Sequence, residues 1–434
     1  MDQKPASENP VSPNSDHGPK VLIVAQNASA RMGGEAFLPL KYFEILKQRG
    51  IPATLIAHSR NRQELTEALP DFAEDMHFIA DTALHQTTWS IGRRLPVALR
   101  PVLIGNLLNQ INEYYQARLI RRLVSEGRVD IIHQPIPVSP RAPSRIHGFG
   151  VPVVIGPMNG NMSYPEGYAD YESRATRLMI PAGRALGMIA NLLIPGKRRA
   201  DVLLVANERT RDGLPVPNRD HAEVLVENGV DLSVWSMGDT SRAPAPPGRL
   251  RLVFMGRLIP LKGLDFTIEA IRLARESGAD VTLDVLGDGP ERAALEAQAK
   301  AAGLSDHVTF HGFMPQSHCA DVLRASDALI LNSLRECGGA VVLEAMSMGR
   351  PVIAADWGGP ADYIDPSCGI LVAPSPRQDF PHRLSSAILS LANSPETRHS
   401  MGEAGIQKIK SQFDWQKKID RILEIYHEAL ASHR

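Results

Sequence analysis

The chain has 434 residues, of which 43% are hydrophobic and 22% charged, and its formal net charge is −1. That length exceeds one ordinary core and points to two domains of roughly 200 residues each, while the near-zero charge leaves no electrostatic footprint for nucleic acid. Cys319, Cys337 and Cys368 are too few and too scattered for a disulfide framework, no C-x-x-C occurs, and a reducing cytoplasm is the expected setting.

Taken in chain order, residues 1–19 lack an apolar core and a cleavage signal and read as a disordered tail, not a signal peptide. Lys20–Gln26 (KVLIVAQ) is a β-branched apolar run without polar alternation, the mark of a parallel strand covered on both faces. A glycine loop follows at Gly33-Gly34, then a helical stretch from Phe37 to Gly50 and a second strand at Pro52–His58. The strand pattern resumes at Val129–His133, Val151–Gly156 and Asp201–Ala206. Strands alternating with helices imply a doubly wound α/β sheet. The apolar run Ala185–Gly196 is too short to span a bilayer.

Residues 236–249 carry no periodic apolar signal, are rich in proline and read as a linker. A second βα series starts at Leu250–Met255 and continues through Val281–Leu286, Val308–His311, Ala328–Asn332 and Pro351–Ala355, and an amphipathic helix from about Asp414 to Ala431 closes the chain. The expected domains are therefore 20–235 and 250–412, with 413–434 as a terminal helix that packs back on the first domain. A dinucleotide dehydrogenase is disfavoured, because Arg292 stands at the third glycine position after Gly287-Asp288-Gly289.

Three loops of the second half each follow a strand, and in open α/β sheets ligands bind at the carboxyl ends of strands. The first, Gly256 to Gly263, brings Arg257 and Lys262 near one point, a forked and a compact cation suited to a diphosphate. The second is the turn at Gly287 and Gly289. The third runs from Ser333 to Gly339 and opens a helix that carries Glu344. Gly338 and Gly339 would expose amides at the helix start, where an anion is favoured. Glu336 and Glu344 can each accept hydrogen bonds from vicinal hydroxyls, so one suits a ribose and the other a sugar. No Asp-x-Asp is present, which argues against a carboxylate-held metal.

These motifs resemble the family 4 glycosyltransferases, retaining enzymes of bacterial cell-surface polysaccharide assembly with the GT-B fold. The resemblance covers Lys20 to the final helix. The two-glutamate motif is matched by Glu336 and Glu344, G-R-x4-K-G by Gly256, Arg257, Lys262 and Gly263, N-G-V-D by Asn228 to Asp231, and E-A-M-x-x-G-x-P-V by Glu344 to Val352. It implies two Rossmann-like domains facing each other across a cleft, the second holding a nucleotide-sugar co-substrate, a UDP- or GDP-sugar, without a resident cofactor or metal. Glu336 would contact the donor sugar and Glu344 the ribose. Gly33 and Gly34 would lie near the donor phosphates, Gly287 and Gly289 beside them.

The first half departs from the family. His133 matches the first His of a D-V-x-H-x-H stretch whose second His is here Pro135, and is the candidate base. Where many members carry a His facing the reacting sugar, this chain has Asn159, which can hydrogen-bond but cannot act as a base; Gly338 stands where Phe is usual. The expected reaction moves a hexose to a glycan or lipid-linked acceptor with retention of configuration, in the cytoplasm. Loops 59–128 and 157–199 carry no readable acceptor signal. Arg93, Arg94, Arg118, Arg121 and Arg122, with Leu186–Ile194 and Lys197-Arg198-Arg199, suit peripheral contact with an anionic membrane. The rival readings are a non-catalytic sugar-nucleotide-binding relative and another GT-B enzyme such as a nucleotide-sugar epimerase.

Overall fold

The computed structural model describes residues 18–29, 34–95, 100, 104–172, 174–237 and 245–433, with the side chains of 174–179 and 182 outside the description. Most of the expected tail, Gly33 and residues 238–244 of the expected linker lie outside the described residues.

The chain forms two compact units, one of residues 1–134, 148–153 and 429–434, the other of 135–147 and 154–428. In the first, β1 (Val21–Val24), β2 (Ala53–His58), β3 (Met76–Ile79) and β4 (Ile131–Gln134) pair in parallel in the order β3-β2-β1-β4. Val21 stands in register with Ala53 on one side and Ile131 on the other. All four residues of β1 are buried, as its unbroken apolar run requires for a strand covered on both faces. Helix α1 (Phe37–Gln48) buries Leu38, Tyr42, Phe43, Ile45 and Leu46. Helices α2 (Ala83–Gly92) and α3 (Asn106–Ser125) complete the elements that matter below.

In the second unit, β5 (Val153–Met158), β6 (Val202–Val205) and β7 (Glu223–Val224) pair in parallel in that order. A six-stranded sheet follows: β8 (Arg249–Met255), β9 (Asp280–Leu286), β10 (Val308–Gly312), β11 (Ala328–Leu331), β12 (Val352–Ala355) and β13 (Gly369–Val372). Its order is β10-β9-β8-β11-β12-β13, and every pairing is parallel. The chain steps outward from β8 through β9 to β10, then crosses back to β11, so the winding reverses between β8 and β11. That switch point is where an open α/β sheet leaves a crevice at its carboxyl edge. The fold class expected from the sequence, two Rossmann-like parallel-sheet domains, is the one found.

The unit boundary falls elsewhere than the sequence places it. Residues 135–147 and 154–235 cluster with the second sheet, because side chains bind them there. Tyr168 Oη donates to the Pro374 carbonyl at 2.8 Å, Asn207 and Arg209 both donate to Asp362, and Trp357 Nε1 donates to the Ser163 carbonyl. Strands β3, β7 and β13 have no counterpart in the sequence reading; β7 is only two residues long. For β3 and β13 the reason is local. His77 interrupts the apolar run of one, and Gly369 opens the other, which is only half buried.

Candidate functional site

The loops after β8 and β11 flank the switch point, and the sequence holds them together. Asn332, fully buried at the end of β11, donates from Nδ2 to the Gly263 carbonyl and accepts from Thr267 Oγ1 at 2.6 Å. Leu334 N donates to the Leu261 carbonyl at 2.8 Å. Gly263 has φ of 63°, and a Cβ there would press on the Asn332 carbonyl oxygen at 2.8 Å. Only glycine takes that conformation at so close an approach without strain. The result is that Lys262 Nζ meets Glu336 Oε2 in an ion pair at the mouth of the crevice, with both side chains largely covered. Ser333 Oγ donates to the same carboxylate oxygen at 3.3 Å. Arg257 is exposed on the same loop, and no hydrogen bond to its side chain is seen among the described residues.

Gly339 begins α4 (Ala340–Ser347) in the left-handed conformation, φ 88°, and no side chain caps the helix start. The first amides of α4 are thus open to an acceptor from outside the protein, an anion above all. Glu344 lies within the helix, half-buried, with no side-chain partner among the described residues. Burial pushes its carboxyl up to about 8.

The other predicted glycines divide by role. Gly287 and Gly289 lie where the loop after β9 crosses the loop after β8; a Cβ on Gly287 would overlap the Gly256 carbonyl and one on Gly289 the Leu258 carbonyl. Gly256 N donates to the Leu286 carbonyl and Leu258 N to that of Asp288, both at 2.9 Å. The glycine requirement at 287 and 289 is therefore met by loop-on-loop packing, before any ligand is considered. Gly338 is likewise enclosed: a Cβ would overlap Asn228 Nδ2 and Glu227 Oε1. With Asn228, Glu227 and Tyr363 in these positions there is no room for a phenylalanine side chain at 338.

Asn159 does not face an open site. It is 4% exposed, and its Nδ2 donates to Glu227 Oε1 at 2.5 Å and to the Cys337 carbonyl at 2.9 Å. Thr210 Oγ1 closes the set by donating to Asn159 Oδ1 at 3.4 Å. Glu227 is buried, its Oε2 has no hydrogen-bond partner, and burial raises its carboxyl above the usual range. Asn228 bridges Glu227 to the Tyr363 hydroxyl, and Lys418 Nζ donates to the Asn228 carbonyl at 2.8 Å. Burial pushes the Lys418 ammonium down to about 7. Gly229 lies against the indole of Trp415, its would-be Cβ 3.0 Å from the ring. This knot ties the residues before N-G-V-D to the loop that presents Glu336.

The sequence reading passed over Glu227, although it directly precedes the N-G-V-D stretch. It also passed over Asn332, whose signal is a polar residue ending an otherwise apolar strand.

His133 and Gly34 belong to the first unit. His133 is fully buried on β4, with its ring 4.8 Å from that of Tyr42 in an edge contact. A base needs a nitrogen that reaches the proton it removes, and the structure places this ring in the core instead. Lys197, grouped by sequence with surface cations, is 1% exposed and donates to the Ser139 and Pro140 carbonyls at 3.0 and 2.9 Å. It closes a turn and is unavailable to a membrane. Arg121 lies over Phe149 and Arg122 pairs with Glu126. Among the described residues no helix is long and apolar enough to cross a membrane, and no group of three or more His, Cys, Asp or Glu is placed to hold a metal ion.

A six-stranded parallel sheet of this order, in a chain that carries a second Rossmann-like sheet, defines the GT-B fold class. Residues 240–408 match the family model described as Glycosyl transferases group 1, so that segment is a glycosyltransferase group 1 domain. The D-inositol 3-phosphate glycosyltransferase of Segniliparus rotundus is 34% identical over 215 residues, 48% of this chain and 47% of that protein. The α-D-kanosaminyltransferase of Streptomyces kanamyceticus is 28% identical over 244 residues, 53% of this chain and 61% of that protein. The chain thus spans about half the length of the curated relatives it matches. Among solved structures, Anabaena HepE in complex with UDP and glucose superposes with a TM-score of 0.62 at 17% identity, covering 94% of this chain and all of the other.

Proposed function

We propose that the protein is a glycosyltransferase that moves a sugar from a nucleoside-diphosphate sugar to a hydroxyl acceptor with retention of configuration. The observation that carries the reading is the cluster at the β8/β11 switch point. Lys262 and Arg257 supply positive charge beside the uncapped start of α4, and Glu336 and the unpaired Glu344 stand on either side of that start. Charge developing on the departing diphosphate is stabilised by fixed cations and amides without reorganisation at the moment of bond cleavage. A diphosphate would draw Lys262 from Glu336 and free that carboxylate for the sugar hydroxyls. Glu344 would take the ribose. With Asn159 locked and His133 in the core, the acceptor proton passes to a donor phosphate oxygen, the route that front-face attack with retention offers.

A uridine donor is the first choice, since the HepE structures of the same fold contain UDP. Relatives named for inositol phosphate and aminoglycoside acceptors widen the candidates beyond the polysaccharide acceptor expected from sequence. Peripheral membrane contact rests on the helix Arg174–Leu193, where Leu186, Met188, Ile189, Leu192 and Leu193 are all more than half exposed. The test is a panel of UDP-, GDP- and ADP-sugars, read first by thermal shift and then by release of free sugar. Stabilisation and slow hydrolysis of one donor support the enzyme; binding without turnover, with acceptors supplied, supports the non-catalytic relative.

A further inference from the structure

The first unit has a cavity of about 430 Å3 at the carboxyl edge of its own sheet. Gln26 enters it from the loop after β1, His58 from the end of β2, Asp81 from the loop after β3, Trp89 from α2 and Asn112 from α3. Strand ends of a parallel sheet are where small molecules bind, and this volume lies within the usual range for ligand pockets.

The polar groups lining it are fixed and in part unsatisfied. Asn112 is 1% exposed, yet neither its Nδ2 nor its Oδ1 has a hydrogen-bond partner among the described residues. His85 is 4% exposed; its Nδ1 accepts from Thr82 N at 3.1 Å, so the proton sits on Nε2, which has no partner either. His58 Nδ1 accepts from Arg60 N and Nε, which leaves its Nε2–H to donate to Asp81 Oδ1 at 3.2 Å. Burial is the main cause that lowers the pKa of both imidazoles. That burial favours the neutral form of each ring. Leaving a donor, an amide NH2 and a carbonyl oxygen unpaired in one buried place is costly unless something fills it.

We infer that this cavity binds a neutral, hydroxyl-bearing six-membered ring, a pyranose or cyclitol, through Asn112 and His85 with its apolar face on Trp89. Hydroxyls donate and accept, so they answer both atoms of the Asn112 amide and the His85 donor together. An inorganic anion could pair with the Arg60 guanidinium that also lines the cavity, but it would face the Asp81 carboxylate and has no apolar face to lay on Trp89. Trp89, 54% exposed at the rim, offers an indole face to the C–H face of such a ring. That the ring is the acceptor of a glycosyl transfer rests on the reading above; its binding does not.

Saturation-transfer NMR on the full chain tests the binding, with methyl β-D-glucopyranoside, methyl α-D-mannopyranoside, myo-inositol and inorganic phosphate as probes. At least one neutral ring should receive saturation, and Trp89→Ala and Asn112→Leu should each weaken its apparent affinity by about tenfold, the loss of one well-made contact. Asn112→Leu removes the unpaired amide at similar volume, so folding is not at risk from it. Saturation of no ring, of phosphate alone, or of a ring equally in wild type and both variants overturns the assignment. UDP binding by the same wild-type sample reports separately on the second unit. A chain that binds UDP but no ring sinks this inference alone, and one that binds a ring but no UDP supports it while sinking the choice of a uridine donor.

Discussion

Asn159 and Glu227, 68 positions apart in sequence, form a buried hydrogen bond of 2.5 Å in which the amide donates to the carboxylate. The same amide holds the Cys337 carbonyl, so the residue standing where a histidine is usual is a clamp on the loop carrying Glu336. The exchange has an electrostatic cost. Glu227 is left deep in the protein with one oxygen unpaired, Lys418 being the cation that draws its charge.

Asn159→Ala removes the hydrogen bond that favours the charged form of Glu227, so that group's pKa rises further above its unfolded value. A raised carboxyl costs stability as pH climbs from the unfolded value, so the deficit of the variant should be small near pH 5 and larger at pH 8. There it should reach about 1–3 kcal/mol, the cost of a buried polar group left unmatched. Urea unfolding at the two pH values measures it. A deficit independent of pH would show that the Asn159 hydrogen bond does not govern Glu227.

Gly338→Ala places a methyl group where Asn228 Nδ2 and Glu227 Oε1 now lie. Both are side-chain tips, but neither can swing freely, since each is bonded within the buried knot. The expected cost is about 1–3 kcal/mol of stability, with weaker UDP binding because the Glu336 loop shifts. Replacing Glu227 by Ala in the Gly338→Ala background should restore part of the loss. Thermal melts of the two single variants and the double variant supply the cycle.

The two cations of the β8 loop should separate by mechanism. Lys262 is partly covered and paired with Glu336; Lys262→Met leaves that carboxylate without its cation beside the arriving diphosphate. Turnover should fall by about a hundredfold, the scale seen when one charge-stabilising donor is lost. Arg257 is exposed, so Arg257→Ala should mainly weaken UDP, about tenfold at low salt and less at high salt, where screening already weakens it. Calorimetry of UDP at two ionic strengths, beside kcat for both variants, checks the split.

Much of this second sheet could be read directly from residue order. Short apolar runs ending in Gly256, Gly287 and Asn332 mark parallel strands, and the Lys262–Gly263 and Glu336–Glu344 spacings fix which side chains reach the crevice. What escaped the reading was long-range. Nothing local to Asn159 reveals Glu227, and nothing local to Gly338 reveals that the same carboxylate fills the space of a side chain there. His133 and Lys197 misled in the same way: type and neighbours suggested a base and a surface cation, while tertiary packing against Tyr42 and capping of the Ser139 and Pro140 carbonyls buried them. The cavity beneath Trp89 draws its residues from five separate segments, so no window of sequence contains it.

Glu344→Gln gives the sharpest pH test. The ordinary carboxyl value is 4.5, and in the folded, ligand-free protein burial moves Glu344 to about 8. Below pH 4.5 folded and unfolded chains both hold the proton, and the side chain contributes no pH-dependent cost. As pH rises toward 8 the unfolded chain has released the proton while the folded chain retains it, so the wild type loses stability throughout that window and levels off above it. Glutamine has no proton to lose. The Tm advantage of Glu344→Gln should therefore be near zero at pH 4.5, grow through pH 6 and 7, and flatten above pH 8, at roughly 2–4 °C per kcal/mol of difference. UDP changes the balance, because a ribose whose hydroxyls donate to Glu344 favours the charged form. Binding to the wild type should then release a proton near neutral pH, seen as a buffer-dependent enthalpy in calorimetry, and binding to Glu344→Gln should not. A Tm advantage that stays flat across the range would mean that Glu344 is already ionised in the empty crevice.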